Sequence, residues 1–212
     1  MPPMEKARVT TKPLVPDPFL EDRFVRGRIY AFLGRLFLRE VDQETLCLMN
    51  EANVHSAFMP LGLKVPAEDG TGETLECLAM DYCGVFLGPS NHVPPIQSVW
   101  DSGLLSGPAV DSMRSYLEFV SVDRDQDPMI DHFGFQLQVM GVMLASPVRQ
   151  DEVGLIGNWT RDFFQQHVQW AGKWLPRAGM LAKTAFYQSL MEVTDIFLTD
   201  EFKRMEEPAA DG

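Results

Sequence analysis

Apolar residues recur at helical intervals in nearly every segment of this chain long enough to show a period. Leu20, Phe24, Ile29, Phe32, Leu33, Leu36 and Phe37 mark one wide face, with Arg23, Arg26, Arg28 and Arg35 largely opposite. Asp17 before Pro18 suits the start of that helix, Asp as N-cap and Pro at the first helical position. Asp42 is placed to cap a second helix running to about Phe58, marked by Leu46, Met49, Val54 and Phe58 and stopped before Pro60. Pro60, Gly62, Pro66, Gly70 and Gly72 punctuate a loop. Leu75, Leu78, Ala79, Tyr82 and Phe86 stand at i, i+3, i+4, i+7 and i+11 and predict a helix over 73–87. Gly88 suits the position just past its end, and Pro89 blocks continuation.

The next segment, Ser90 to Gly107, reads as a long loop that carries Val93, Ile96, Val99 and Trp100, which favours order. A helix is expected over 108–120, with Val110, Met113, Tyr116 or Leu117, and Val120 inward. The charged stretch 123–128 leads to a very apolar helix at 130–145. A sixth helix is expected over 151–169, a short one after Pro176, and a last one over 184–202 with Phe186, Tyr187, Leu190, Val193 and Phe197 inward. Six-residue alternation of β-branched positions is absent, as are internal repeats and a linker between two cores. The pattern therefore predicts an all-α fold, a single compact helical domain of about eight helices over residues 17–204. Residues 1–16 and 205–212 read as disordered tails, and 121–129 as a possible hinge.

Composition sharpens this picture in three places. With 212 residues, 45% hydrophobic and 23% charged, the chain can bury a core without disulfides or a structural metal. A net charge of −12 and no Lys/Arg-rich run argue against nucleic acid and suit a basic partner. Three cysteines, Cys47, Cys77 and Cys83, lack paired spacing and point to a reducing compartment. The first residues show no continuous apolar stretch, and no run of about eighteen apolar residues occurs, so a cytoplasmic protein without membrane insertion is expected.

Candidate chemistry concentrates in two linked segments. The first runs from Tyr82 through Phe86-Leu87-Gly88-Pro89 to Pro94-Pro95-Ile96-Gln97-Ser98-Val99-Trp100. Its Pro-Pro pair stiffens the chain and presents carbonyls, and Trp100 offers a broad amphipathic face to a peptide or, in the plainer reading, anchors the loop. The second is Asp127-Pro128-Met129-Ile130-Asp131-His132-Phe133-Gly134, where Asp131 can cap the following helix. A catalytic Asp–His dyad would need a nucleophile, and neither a Gly-x-Ser-x-Gly run nor a cysteine signature supplies one. His55, His92 and His167 are scattered, and Cys77 and Cys83 do not share a helix face, so no metal site is expected. Phosphate-cradling glycine runs are absent. Phe163 and Trp170 read as core, with His167 left open.

The order and spacing of these segments, with His167, Trp170, Phe186, Tyr187 and Leu190 near the end, resembles the TorD/DmsD family of chaperones that mature molybdenum-containing reductases. The resemblance implies an all-helical fold, no enzymatic activity and no cofactor of its own. The implied partners are a twin-arginine leader peptide and the apo form of a molybdoenzyme catalytic subunit, bound by a monomer or domain-swapped dimer. It also implies leader contacts at Tyr82, Phe86, Gly88, Pro89, Pro95, Ser98, Trp100, Asp127, Asp131 and His132, with the carboxylates meeting the paired arginines. This chain departs from the family pattern at three places. Ile96 stands where an aromatic is usual, Met129 and Ile130 separate Asp127-Pro128 from Asp131, and Gln136 occupies a position that often holds an acid. Two other readings stay open: a small hydrolase or lyase using Asp131-His132 as general base, and a permanent assembly subunit of a membrane reductase.

Overall fold

The computed structural model describes residues 18–67, 72–120, 129–146 and 153–206, and among them the architecture is all-helical. In chain order the α-helices are α1 (Pro18–Leu38), α2 (Gln43–Asn50), α3 (Ala52–Phe58), α4 (Glu73–Tyr82), α5 (Gln97–Ser102), α6 (Pro108–Phe119), α7 (Phe133–Ala145), α8 (Val153–Phe163), α9 (Leu175–Leu181) and α10 (Ala185–Glu206). None of these is long and apolar enough to cross a membrane.

The centre is α7, whose sequence FGFQLQVMGVMLA is apolar on all sides and is buried except at Gln138, Val142 and Ala145. Antiparallel to it lies α1, at a separation only glycine permits. A Cβ on Gly27 would stand 2.9 Å from the Gly141 carbonyl oxygen, and one on Gly141 would stand 2.7 Å from that of Gly27. Two turns along, Gly34 and Gly134 meet in the same way, at 2.6 and 2.7 Å. Two glycine pairs thus let the backbones touch, as small residues do wherever helices pack closely.

Polar contacts then fix the ends. Arg23, buried, donates to the Met143 carbonyl at the C-terminal end of α7, where a cation is favoured. Arg26 makes a bidentate pair with the buried Glu201 of α10, both bonds 2.7 Å. Asp81 of α4 accepts from the backbone amides of Lys183 and Thr184 and from the Thr184 hydroxyl, so it caps α10 from a neighbouring helix. Phe37, Phe133 and Trp174 meet edge to face at 5.1–5.7 Å and join α1, α7 and the start of α9 in one aromatic core.

Several expected elements are modified. The helix capped by Asp42, whose Oδ1 accepts from Thr45 N–H, breaks at the extended Glu51, giving α2 and α3 in place of one helix to Phe58. Asn50 donates to Leu46 O and Pro66 O there, competing with continued helix. The helix expected over 73–87 ends as a π turn, Cys83–Leu87. Gly88 is extended (φ −59°, ψ 157°) rather than left-handed, because Pro89 excludes compact conformations in the residue before it. Residues 97–102, expected as loop, form α5, and the helix expected from Ile130 begins at Phe133. The expected helix over 151–169 is α8 followed by a π turn at Phe164–Val168 and a 3₁₀ turn at Gln169–Lys173. On α1, Phe24 is 51% exposed while Arg23 is buried, so the polar face is not the outer one at that end. The last helix continues to Glu206, two residues beyond the expected domain end. Asp17, Asp127, most of the 121–129 hinge and most of both tails lie outside the described residues.

Candidate functional site

The two chemistry-bearing segments are clamped side by side. Phe133 N–H donates to Pro95 O (2.7 Å), Gln97 N–H donates to Asp131 O (3.1 Å), and Ile96 and His132 form an isolated antiparallel bridge. Pro94 and Pro95 cannot donate, and of their two carbonyls only Pro95 O takes part in the pairing. Pro94 O accepts from the Trp100 indole N–H at 2.8 Å, which folds the ring back over the loop. Val93 N–H donates to Val85 O (2.7 Å) and ties the loop to the π turn.

Asp131 does not cap its own helix. Its Oδ2 accepts from Ser98 N–H at 2.8 Å, in the first turn of α5, so it caps the helix of the Pro-Pro segment. His132 takes the N-cap position of α7, its Nδ1 accepting from Gly134 N–H at 3.1 Å. Asp131 is 0% exposed, and its Oδ1 and the Ser98 hydroxyl are buried with no hydrogen-bond partner. A general-base dyad would aim the Asp131 carboxylate at the imidazole; here it is aimed at a backbone amide of another helix.

Placement of the expected contact residues divides them into a floor and a rim. Tyr82, Phe86, Pro95, Ser98, Asp131 and His132 are buried. The Tyr82 hydroxyl donates to Phe37 O at 3.0 Å, burial pushes its phenol up to about 12, and its ring packs on Phe86 at 5.0 Å. Pro89 is exposed, and Gly88 and Trp100 are half-buried. The structure therefore joins Pro95, Ser98 and Trp100 to Asp131 and His132, and sets Tyr82 and Phe86 in the aromatic core behind them.

Beneath this site lies a polar cluster that joins Gln136, His167 and Trp170 through Gln97, a meeting the sequence reading did not foresee. Gln97 of α5 and Gln136 of α7 meet with Gln136 Nε2 donating to Gln97 Oε1 at 2.7 Å. The Trp170 indole N–H donates to Gln136 Oε1 at 2.9 Å, and Gln97 Nε2 donates to Gln166 O at 2.7 Å. His167 Nδ1 is 3.1 Å from Gln97 Oε1 and its Nε2 is 2.9 Å from the Ser112 hydroxyl, which a neutral ring protonated on Nδ1 satisfies. Burial holds its pKa down to about 4, against a smaller opposing effect of Asp101. Gln136 is fully buried and serves as both donor and acceptor, which a carboxylate there could not do without a proton. The sequence marked Gln136 as a departure and His167 and Trp170 as a pair with His167 left open, but it gave no sign of Gln97, since single glutamines carry no pattern of their own.

Comparison with known proteins places this arrangement. Residues 49–176, from the end of α2 into α9 and including both clamped segments, match the family described as nitrate reductase delta subunit. The chain belongs to that family. Among curated relatives, the chaperone protein TorD of Shewanella loihica is 26% identical over 197 residues, 82% of this chain and 90% of that protein. TorD of Vibrio cholerae serotype O1 is 25% identical over 171 residues, 71% of this chain and 76% of its own length. That of Vibrio vulnificus is 25% identical over 201 residues, 81% and 90% of the two chains. The TorD/DmsD resemblance drawn from the Pro-Pro and Asp-His segments is thus borne out, and these TorD-type relatives are chaperones by name rather than enzymes.

Proposed function

We propose that this protein is a maturation chaperone of a molybdopterin-dependent oxidoreductase, and that it binds the twin-arginine leader of the apo catalytic subunit and holds that subunit for cofactor insertion. Membership of a family of delta subunits and TorD chaperones supports the first part. The observation that carries the second is the clamp itself. Two segments distant in sequence are locked by the Asp131 carboxylate and by the pairing of Pro95 O and Gln97 N–H with the Asp-His segment, with Pro89 exposed and Trp100 half-buried beside them. A fixed aromatic rim lowers the ordering cost of gripping a peptide. The chain's net charge of −12 favours capture of a basic leader.

In this reading Pro89 and Trp100 touch the leader, and Asp131, His132, Ser98, Pro95, Tyr82 and Phe86 are positioning residues. Gly88 shapes the approach to Pro89, and Asp127 supplies a carboxylate for a leader arginine. Binding and release, with no bond made or broken, is the work. The test is co-expression with the apo catalytic subunit of a twin-arginine molybdoenzyme, with and without its leader, followed by gel filtration. The expected result is a complex with the apo subunit that dissolves once cofactor is inserted. A complex that persists with the mature holoenzyme would contradict the chaperone reading and favour a permanent subunit.

A further inference from the structure

Helix α5 has only six residues, too few to hold a direction on its own, and it carries the Trp100 ring. The backbone amides of Gln97 and Ser98 both donate to Asp131, which fixes where α5 begins but not how it turns about that end. The Asp101–Lys173 ion pair is solvent-exposed and adds little. The remaining anchor is the Gln97 side chain, buried at the first position of α5. Its amide is filled on every side. Nε2 donates to Gln166 O at 2.7 Å and to Asp101 Oδ2 at 3.3 Å, while Oε1 accepts from Gln136 Nε2 at 2.7 Å and from His167 Nδ1 at 3.1 Å. A primary amide has two donor hydrogens and two acceptor lone pairs, and all four are used here. Both π turns bear on the same stretch of chain. Val85 O of the first accepts from Val93 N–H, and Gln166 O of the second accepts from Gln97, so a π-turn carbonyl holds the Pro-Pro segment at either end.

We infer that Gln97 is a positioning residue of the leader site: it sets the direction of α5 and, through α5, the place of the Trp100 ring. The inference rests on the leader-binding reading for the use of that ring, whereas the placement itself is measurable without a leader. Two substitutions separate the chemistry of the amide from its bulk. Gln97→Met keeps the length but takes away the partner of Gln136 Nε2, of His167 Nδ1–H and of the Gln166 carbonyl. Gln97→Glu, when ionised, still accepts from Gln136 and His167 but donates nothing to Gln166 O and meets the like charge of Asp101. Once protonated, it donates one O–H and accepts with its other oxygen. Burial and Asp101 both push such a carboxyl up, so the defect is expected at about pH 8 and relieved by about pH 5.5. The other titratable groups around this position are His167 on the π turn with Tyr116 packed on it, Lys173 on Asp101, and Asp131 and His132 across the clamp. Gln97→Met carries all of their titrations over the same range and none at position 97.

The test is ¹⁵N NMR with hydrogen exchange on the full chain, the Trp100 indole N–H being assigned through Trp100→Phe. In the wild type that proton is held by Pro94 O. Gln97→Met is expected to shift its resonance and speed its exchange about tenfold or more, while the Thr184 amide, capped by Asp81, changes little. Compared with wild type at the same pH, Gln97→Glu is expected to match Gln97→Met at about pH 8 and the wild type at about pH 5.5. A synthetic peptide with Arg-Arg followed by a leucine- and alanine-rich stretch then reads the consequence. Its affinity is expected to fall about tenfold in Gln97→Met, and in Gln97→Glu only at the higher pH. Exchange that rises equally at Trp100 and Thr184 marks a general loss of stability and overturns the proposal. An unmoved Trp100 resonance overturns it too, as does a Gln97→Glu protein that stays defective at the lower pH. If Trp100 moves as stated but the wild type binds no such peptide, leader recognition fails while the placement of Trp100 by Gln97 stands.

Discussion

A single carboxylate sets the geometry of the site. Asp131 holds the first turn of α5 through Ser98 N–H, and α5 carries Trp100. Replacing Asp131 by Ala leaves a buried amide unpaired, and about 1–3 kcal/mol of stability is expected to be lost, read by urea unfolding. Hydrogen exchange at Ser98 N–H should rise by more than the global change. His167 makes a second residue-level prediction. Its folded pKa is lowered to about 4 by burial, so between that value and the ordinary value near 6.5 the unfolded chain binds a proton that the folded chain does not. Its contribution is therefore constant above about pH 6.5 and declines as pH falls, by up to about 3 kcal/mol at pH 4. Wild type should lose more stability between pH 7 and pH 5 than His167→Gln, whose side chain does not titrate; equal losses would contradict the assignment. At this scale the sequence was partly legible. The Asp-His pair announced a helix start, but periodicity along one chain could not say that the aspartate serves another helix. That depends on the Pro-Pro loop lying alongside, which only tertiary packing decides.

Helices were legible where apolar faces repeat and blurred where the backbone departs from α geometry. The α10 positions Phe186, Tyr187, Leu190, Val193 and Phe197 are all buried as the pattern required. The π turns at 83–87 and 164–168 escaped notice because their side-chain spacing differs little from α over one turn. Reading Arg23 as outward failed because a long cation can reach a helix C-terminal carbonyl from inside. The glycine contact between α1 and α7 was also invisible, since it needs both helices at once. It yields a direct test. Gly141→Ala sets a methyl group against the Gly27 carbonyl, and neither backbone can yield, so about 1–3 kcal/mol of overpacking is expected to outweigh the helix-propensity gain of about 1 kcal/mol. Thermal unfolding should show a lower melting temperature; an unchanged or higher one would mean that the helices separate freely. Asp81→Ala removes the cap of α10 from outside that helix and is expected to cost about 1–2 kcal/mol in urea unfolding. Asp81→Asn should recover part of the loss.

For the whole molecule, the two clamped segments, the buried amide cluster below them and the acidic surface describe a rigid holder rather than a reactive pocket. The central claim is that paired arginines of a leader are recognised over this clamp. Calorimetric titration with a twin-arginine leader from a molybdoenzyme of the same organism tests it most directly, repeated with an Arg-Arg→Lys-Lys leader and with Trp100→Ala protein. The account requires saturable binding by the natural leader, weakened about tenfold or more by either change, since lysine cannot make the bidentate pairs of arginine and alanine removes the rim. Equal affinity for both leaders and both proteins, or no binding by any such leader, would contradict it.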